Sequence, residues 1–161
     1  MNKKPRFILR DIRELNYTRE FDAVIIMLNA FGLMSDDDNF TVLKGIARAL
    51  KRGGKVLIDL RNPEMLKQGR IYKKVEICEG RKVYTKTRYI LSEKRVLIFR
   101  HYYKGKERQE YCIAIRLYPK DELAELLRGV GLRAVAWYGD FEGNSYDPNT
   151  SPRLIVVAEK L

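Results

Sequence analysis

The 161-residue sequence is poor in the residues that bind metals or crosslink chains. It contains one histidine and two cysteines, Cys78 and Cys112, which lie far apart. This spacing matches none of the compact cysteine and histidine patterns that hold zinc, so no metal site is predicted. Both cysteines are predicted to be free thiols, as in most cytoplasmic proteins, unless the source is a hyperthermophile, where a disulfide is the alternative.

Long hydrophobic runs are absent too. No apolar segment approaches the roughly 18 residues that span a bilayer, and the N-terminal "MNKKPRFILRD" lacks a signal-peptide core. We therefore expect a cytoplasmic location and no membrane partner. A hydrophobic fraction of 45% argues against disorder, and the length favours one domain over residues 1–161. A charged fraction of 33%, rich in Lys, Arg and Glu, is typical of a thermophile.

Glycine is missing from the front of the chain, where the first one is Gly32. The pair Gly53 and Gly54 follows a helical pattern and precedes the apolar run "KVLIDL". A phosphate-binding loop has the opposite order, since it follows a strand and opens a helix whose N-terminus attracts the anion. We therefore interpret the glycine pair as a turn from helix to strand.

The remaining pattern predicts an α/β chain. The run "FDAVIIML" at 21–28 is typical of a strand covered on both faces in a parallel sheet, and "RFILRD" at 6–11 predicts a short buried strand. Ser35 or Asp36 caps a predicted helix that ends near Gly53. The other predicted elements are the strand "KVLIDL", the helix in "YPKDELAELLRGVGL" with its end at Gly131, and the final strands "RAVAWYGDF" and "RLIVVAEKL".

Residues 70–117 have a different character. Turn signals at "EGRK", "SEK" and "KGKE" separate four runs rich in Tyr, Val, Ile and Thr. This pattern predicts an inserted four-stranded antiparallel meander with one face in solvent. Between Arg70 and Glu110 there are 13 Lys or Arg and 5 Asp or Glu, a net charge of +8 out of +11 for the whole chain. Lysine on open strand edges also protects them from pairing with other chains.

Several segments together resemble the class I S-adenosylmethionine-dependent methyltransferases. They are "RDIREL", "EFDAVIIMLNAFGLM", "LKRGGKVLIDLRNPE" and "LYPKDELAELLRGVGLRAVAWYGDF" with "YDPNTSPRLIVVAEK". The order of these segments is similar to the later two-thirds of that family, especially to members that act on small molecules and carry an antiparallel insertion. The resemblance implies an incomplete Rossmann-like methyltransferase sheet with the meander inserted, and S-adenosylmethionine as the cofactor.

The chain departs from the family at its front. The family's first strand ends in a glycine-rich loop that holds the methionine part of the cofactor, and its second ends in an acidic residue that holds the ribose. Neither motif is present before Gly32. We therefore expect a truncated site that binds the cofactor weakly or not at all, and an unpaired edge on strand 21–28. A second copy in a dimer, a separate chain or a rearranged N-terminal segment would cover that edge.

The resemblance also implies cofactor-binding residues. Asp11 would accept a hydrogen bond from the adenine amino group and Ile12 would lie beside the ring; the alternative for Asp11 is a turn or cap. Leu28, Asn29 and Phe31 follow the buried strand, at the carboxyl end where open α/β sheets bind ligands. The alternative for this segment is a loop packed on the next helix.

Candidate substrate-binding residues lie further along the chain. Arg61 and Asn62 end the next strand, and Arg61 either holds an anionic substrate or pairs with Asp59. The resemblance places a second group near the closing hairpin as a roof over the substrate, although such residues also stabilise long loops. This group is Tyr138, Asp140, Tyr146 and Arg153. His101 is interpreted as a surface or packing residue, and no catalytic residue is assigned, since methyl transfer from a sulfonium often needs only in-line positioning.

The basic meander supports an alternative function. Its cations alternate with aromatic residues, a pattern that suits the backbone and bases of RNA. Tyrosines are common in any half-buried sheet, so this non-catalytic binding module is less favoured. The cations are Lys73, Lys74, Arg81, Lys82, Lys86, Arg88, Arg95 and Arg100, and the aromatics are Tyr72, Tyr84, Tyr89 and Phe99. The favoured prediction is a methyltransferase-like protein that acts on a small molecule and needs a partner to bind its cofactor.

Overall fold

The computed structural model describes residues 4–65, 71–104 and 106–161, with the backbone alone for residues 71, 72 and 91. Residue 70, the predicted first residue of the insertion, lies outside the described part. Two short 3-10 turns lie at Ile12–Glu14 and Leu91–Glu93. The elements in chain order are β1 (Phe21–Ile26), α1 (Asp36–Ala49), β2 (Leu50–Arg61), β3 (Ile71–Cys78), β4 (Arg81–Ile90), β5 (Arg95–Lys104), β6 (Glu107–Arg116), α2 (Lys120–Gly129), β7 (Leu132–Tyr138) and β8 (Arg153–Lys160).

The main sheet contains β1, β2, β8 and β7 in that order. β1 runs parallel to β2, whereas β8 is antiparallel to both of its neighbours. The side chain of Ser35 accepts a hydrogen bond from the backbone of Asp38, which confirms the predicted cap of α1. α1 ends at Ala49, earlier than predicted, and Gly53 has a positive φ of 74° inside β2 rather than at the helix end.

Both helices contribute to one core with one face of the main sheet. Leu43 and Ile46 of α1 and Leu123 of α2 are buried in the same cluster as Ile58 and Val156 of the sheet. This face takes every second residue of each strand, as the alternation of side chains along a strand requires. Burial of these apolar side chains is the main driving force for folding here.

The opposite face of the main sheet, which we call the bare face, has no helix of the described chain on it. Register places Ile25 beside Leu57 and Leu57 beside Val157 on this face. Ile25 is 67% exposed, and β1 is an edge strand that pairs with β2 alone within the described residues. The prediction that strand 21–28 is covered on both faces is therefore wrong, whereas the predicted unpaired edge is observed.

The predicted strand at 6–11 is also wrong. The structure assigns no strand to residues 4–11, and the Phe7 side chain is 93% exposed. A strand is stabilised by hydrogen bonds to a neighbour, and no described strand lies beside this segment. The apolar residues of "RFILRD" therefore lack the neighbouring strand with which they could form a sheet.

The predicted four-stranded antiparallel meander is confirmed. β3, β4, β5 and β6 form a four-stranded antiparallel sheet in sequence order. Tyr89, Val96, Ile98 and Ile115 build a small core on one of its faces together with Leu117. The backbone N–H of Arg116 donates to the carbonyl of Gly32 over 2.7 Å, which joins the base of the meander to the loop after β1.

Three further predictions concern single features. Cys78 and Cys112 are both free and exposed, as predicted. Among the described residues, no helix is long and apolar enough to cross a membrane. Within those same ranges, no cluster of three or more His, Cys, Asp or Glu side chains could hold a metal ion.

Candidate functional site

The loop after β1 has an unusual backbone. Leu28 and Asn29 have consecutive left-handed φ values of 58° and 60°, a conformation that costs free energy for residues other than glycine. The backbone N–H of Leu28 donates to Asp59 Oδ2 over 2.7 Å, and that of Asn29 donates to the Asp59 carbonyl over 3.1 Å. Asn29 Oδ1 accepts from the backbone N–H of Arg61 over 2.6 Å. The carboxyl end of β2 therefore holds this loop in its strained shape.

Asp59 is the anchor of that arrangement. Its side chain is fully buried, and it forms an ion pair with Arg153 of β8. The guanidinium of Arg153 lies 5.3 Å from the ring centre of Phe141. Of the two alternatives for Arg61, pairing with Asp59 is not observed, since Arg153 occupies that position, and contact with an anionic substrate stays a prediction. Within the described part of the chain, Nε of Arg61 is buried and has no hydrogen-bond partner.

Asn62 connects the end of β2 to the long loop between β7 and β8. It is buried, and its Nδ2 donates to the carbonyls of Pro148 and Ser151 over 3.0 and 2.8 Å. Its Oδ1 accepts from the Tyr146 hydroxyl over 2.8 Å. Burial, with nearby acidic groups, raises the pKa of Tyr146 to about 12, so the phenol stays protonated and donates this bond. Both side chains are engaged in holding the loop, and their role toward a substrate stays a prediction.

Asp140 and Tyr138 lie beside a small cavity. Asp140 accepts from the backbone and side chain of Asn144, and these bonds lower the pKa of its carboxyl. The cavity, of about 160 Å³, opens where the bare face meets the loop between β7 and β8. It is mostly apolar, and its walls include Met27, Leu57, Tyr138, Asp140, Phe141 and Ile155.

The predicted adenine-binding residues lie apart from that group. Asp11 caps the first 3-10 turn by accepting from the backbone of Arg13 over 2.9 Å. The Arg13 guanidinium also binds its carboxylate over 2.6 Å and lowers the pKa of Asp11 to about 2. The capping alternative is thus observed, and Ile12 is partly exposed beside it. Contact of either residue with adenine stays a prediction.

Phe31 belongs to the core rather than to an open site. It is buried, and its ring centre lies 5.2 Å from that of Tyr118. Leu28, by contrast, is exposed at the tip of the same loop. Phe31 is therefore a core residue packed against Tyr118, whereas Leu28 and Asn29 remain at the open carboxyl end of the sheet.

Sequence reasoning missed the roles of Asp59, Met27, Leu57 and Phe141. One signal was available for Asp59, since it is the only acidic residue in the apolar run "KVLIDL". Buried carboxylates are rare unless paired, so such a residue predicts a partner across the fold. The structure brings Leu28, Asn29, Arg61 and Arg153 together around it, and separates them from Asp11 and Ile12.

Comparison with known proteins agrees with the family resemblance. No family model matches the chain. It is 28% identical over 162 residues to the glycine/sarcosine/dimethylglycine N-methyltransferase of Actinopolyspora halophila, covering 99% of this chain and 27% of that protein. It is 29% identical over 157 residues to the glycine/sarcosine N-methyltransferase of Aphanothece halophytica, covering 96% of this chain and 56% of that protein. The chain thus spans about a quarter and just over half of these relatives.

A solved structure agrees at the level of fold. The chain superimposes on an S-adenosylmethionine-dependent methyltransferase from Clostridium acetobutylicum with a TM-score of 0.80 and 18% identity. The match covers 98% of this chain and 65% of that one. The predicted fold class is confirmed: the chain has the Rossmann-like architecture of the class I methyltransferases, with an inserted antiparallel sheet, and resembles part of their length.

Proposed function

We propose that this chain forms the acceptor-side part of an S-adenosylmethionine-dependent methyltransferase that acts on a small molecule, and that cofactor binding requires a further segment beside β1. The names of both curated relatives describe N-methylation of glycine and sarcosine, so an amine is the favoured acceptor. The single observation that carries the proposal is the unpaired, apolar edge at β1, next to the strained loop at Leu28 and Asn29.

The described residues do not fit a complete cofactor site. Gly32 has a positive φ, but a Cβ there would lie 2.6 Å from the Arg116 carbonyl, so this glycine serves a close contact with the meander. The Asp11 carboxylate is bound by Arg13, and that of Asp59 is bound by Arg153. Gly32 therefore does not supply the cradle, and these two carboxylates are not free to bind the ribose.

A second copy of the chain is a weaker partner than a different segment. A second copy would bring another β1 edge, but its sequence has the same glycine-free front up to Gly32. A second copy could therefore cover the apolar surface, but it would not supply the glycine-rich loop that binds the cofactor. The proposal therefore requires a segment of different sequence that adds a strand to β1 and covers the bare face.

The chain's own residues then have defined tasks. Asp59 and Arg61 hold the loop at Leu28 and Asn29, where the methyl donor and acceptor would meet. The apolar cavity beside Tyr138 adjoins this loop at Met27, and its small volume favours a small acceptor. Positioning of the two reactants in line is the chemical requirement for methyl transfer, and a rigid loop meets it.

Calorimetric titration with S-adenosylmethionine tests the proposal. Three proteins are compared: the chain alone, a fusion to the strands that precede the counterpart of β1 in the Clostridium acetobutylicum structure, and that fusion with Ile25→Glu. We expect micromolar binding by the fusion, at least tenfold weaker binding by the variant, and none by the chain alone. A charge at position 25 would place an unpaired carboxylate in the new interface.

Val75→Glu is the matched control, because Val75 is also an exposed apolar strand residue, at 54% exposure, but lies in the meander. It should bind like the unmodified fusion. Micromolar binding by the unfused chain as a monomer would overturn the proposal, as would equal losses in the two variants.

A further inference from the structure

The two faces of the meander differ in how much apolar surface they bury. Register places Val83, Thr87, Tyr89, Val96 and Ile98 on one face, and all are buried. The other face, which we call the basic face, is open to solvent. It covers β3, β4, the C-terminal end of β5 and the N-terminal end of β6. Its exposed charged members are Lys73, Lys82, Lys86, Arg88, Arg108 and Glu110.

The charge of the basic face is not compensated within the described chain. Glu110 is bonded to His101 and Arg108. Among the described residues, no carboxylate forms a salt bridge with Lys73, Lys82, Lys86 or Arg88. Lys73 lies directly opposite Lys86 across β3 and β4. Like charges in such cross-strand positions repel, so an anion bound between them would relieve the repulsion.

Aromatic rings stand among these cations. The rings of Tyr84 and Tyr103 meet edge to face with centres 5.3 Å apart. Lys82 Nζ lies 5.2 Å from the centre of Tyr84, and a hydrogen bond to this tyrosine raises the pKa of Lys82. Lys82, Tyr84 and Tyr103 line an open cavity of about 450 Å³. Phe99 lies opposite Lys86 on the same face. The face therefore offers ring surfaces as well as charge.

The charge and the aromatic rings of the basic face favour one class of ligand over the others. A second copy would bring positive charge against positive charge. An acidic peptide would satisfy the cations but would leave the tyrosine-lined cavity unused. A single-stranded nucleic acid satisfies both, because its phosphates pair with Lys and Arg and its bases stack on aromatic rings. Along β4, alternate residues Lys82, Tyr84, Lys86 and Arg88 stand about 7 Å apart on one face.

We propose that the basic face of the meander binds single-stranded nucleic acid without a specific sequence. This inference rests on residues that the proposed methyltransferase function does not use. It is therefore independent of whether β1 acquires a further strand.

Fluorescence anisotropy with a labelled 20-nucleotide oligouridine tests the inference. We expect micromolar binding at low salt, with log K falling against log salt at a slope of about −3 if four cations contact phosphates. The double variant K82E/K86E should bind at least tenfold more weakly and halve the slope. Tyr84→Ala should weaken binding severalfold and change the slope less than K82E/K86E does, because it removes an aromatic ring and no charge.

The control is R52E/R133E, which makes the same change in net charge at two exposed arginines outside the meander. It should bind nearly as the original chain does, and circular dichroism confirms that each variant is folded. Three results would each overturn the inference: no binding at low salt, an equal loss in the control, or polyglutamate binding as tightly as the oligonucleotide.

Discussion

The two sheets of this protein have four strands each but differ in the lysines that their open surfaces present to solvent. The open surface of the meander carries Lys73, Lys82 and Lys86 beside the exposed Val75 and Ile77. The bare face of the main sheet presents Ile25 and Met27 instead. Contiguous exposed apolar surface marks a binding site more often than a finished exterior. The comparison favours the bare face, where Ile25 lies beside Leu57 in the edge strand pair, as the surface that an apolar partner covers.

The edges of the two sheets differ in the same way. β6 begins with the polar sequence "ERQE", and β3 carries Lys73, Lys74 and Glu76, as protected edges do. β1 has the sequence "FDAVII", in which Asp22 is the only charged residue. Strand addition is therefore favoured at β1 and disfavoured at the edges of the meander.

The largest expected effect comes from Asp59, which ties the strained loop to the main sheet. Asp59→Leu should lower the free energy of unfolding by about 3–5 kcal/mol, because it leaves Arg153 half-buried without its partner and the Leu28 N–H unsatisfied. Urea denaturation measures the change. Asp140→Leu is the control, since Asp140 bonds only within its own loop in the described structure. Equal losses in both variants would show that Asp59 is not an anchor.

The second largest expected effect is a difference in unfolding free energy between alanine substitutions on the two faces of the main sheet. Ile58→Ala removes a fully buried side chain from the helix-covered face and should cost about 2–5 kcal/mol. Ile25→Ala, in the adjacent strand but on the bare face, should cost less than about 1 kcal/mol in the isolated chain, because little apolar surface is buried there. A large loss from Ile25→Ala would mean that the bare face is covered in solution.

The smallest effect concerns the loop that Asn62 and Tyr146 hold. The pKa of Tyr146 is raised from the ordinary value near 10 to about 12, so its contribution to stability is complete below pH 10. It should be lost as the pH rises from 10 to 12, since the unfolded chain releases the proton first. Tyr146→Phe should therefore destabilise the protein less at pH 11.5 than at pH 8. A difference in unfolding free energy that is independent of pH would contradict this assignment.

Local signals predicted most of the elements. Ser35 and the three aspartates after it defined the start of α1, and the hairpin turn at Glu79 and Gly80, with φ values of 50° and 72°, closed β3 onto β4 as the glycine signal predicted. These features depend on residues close in sequence. Their prediction therefore required no knowledge of the rest of the fold.

Long-range contacts were not predictable in the same way. The ion pair between Asp59 and Arg153 joins residues 94 positions apart, and the nearer Arg61 was an equally reasonable partner by charge. The segment "RFILRD" has the composition of a strand, but strand formation also depends on a neighbour. Phe31 could be assigned to a site or to a core, and only the position of Tyr118 decided for the core.

Amide hydrogen exchange across the two sheets tests whether β1 is an open edge that a further strand completes. The chain is measured as a monomer, alone and with the complementary strands of the methyltransferase fold added. We expect weak protection of β1 in the isolated chain, strong protection after addition, and unchanged protection in β3 to β6. Protection of β1 equal to that of the central strand β8 in the isolated monomer would contradict this expectation.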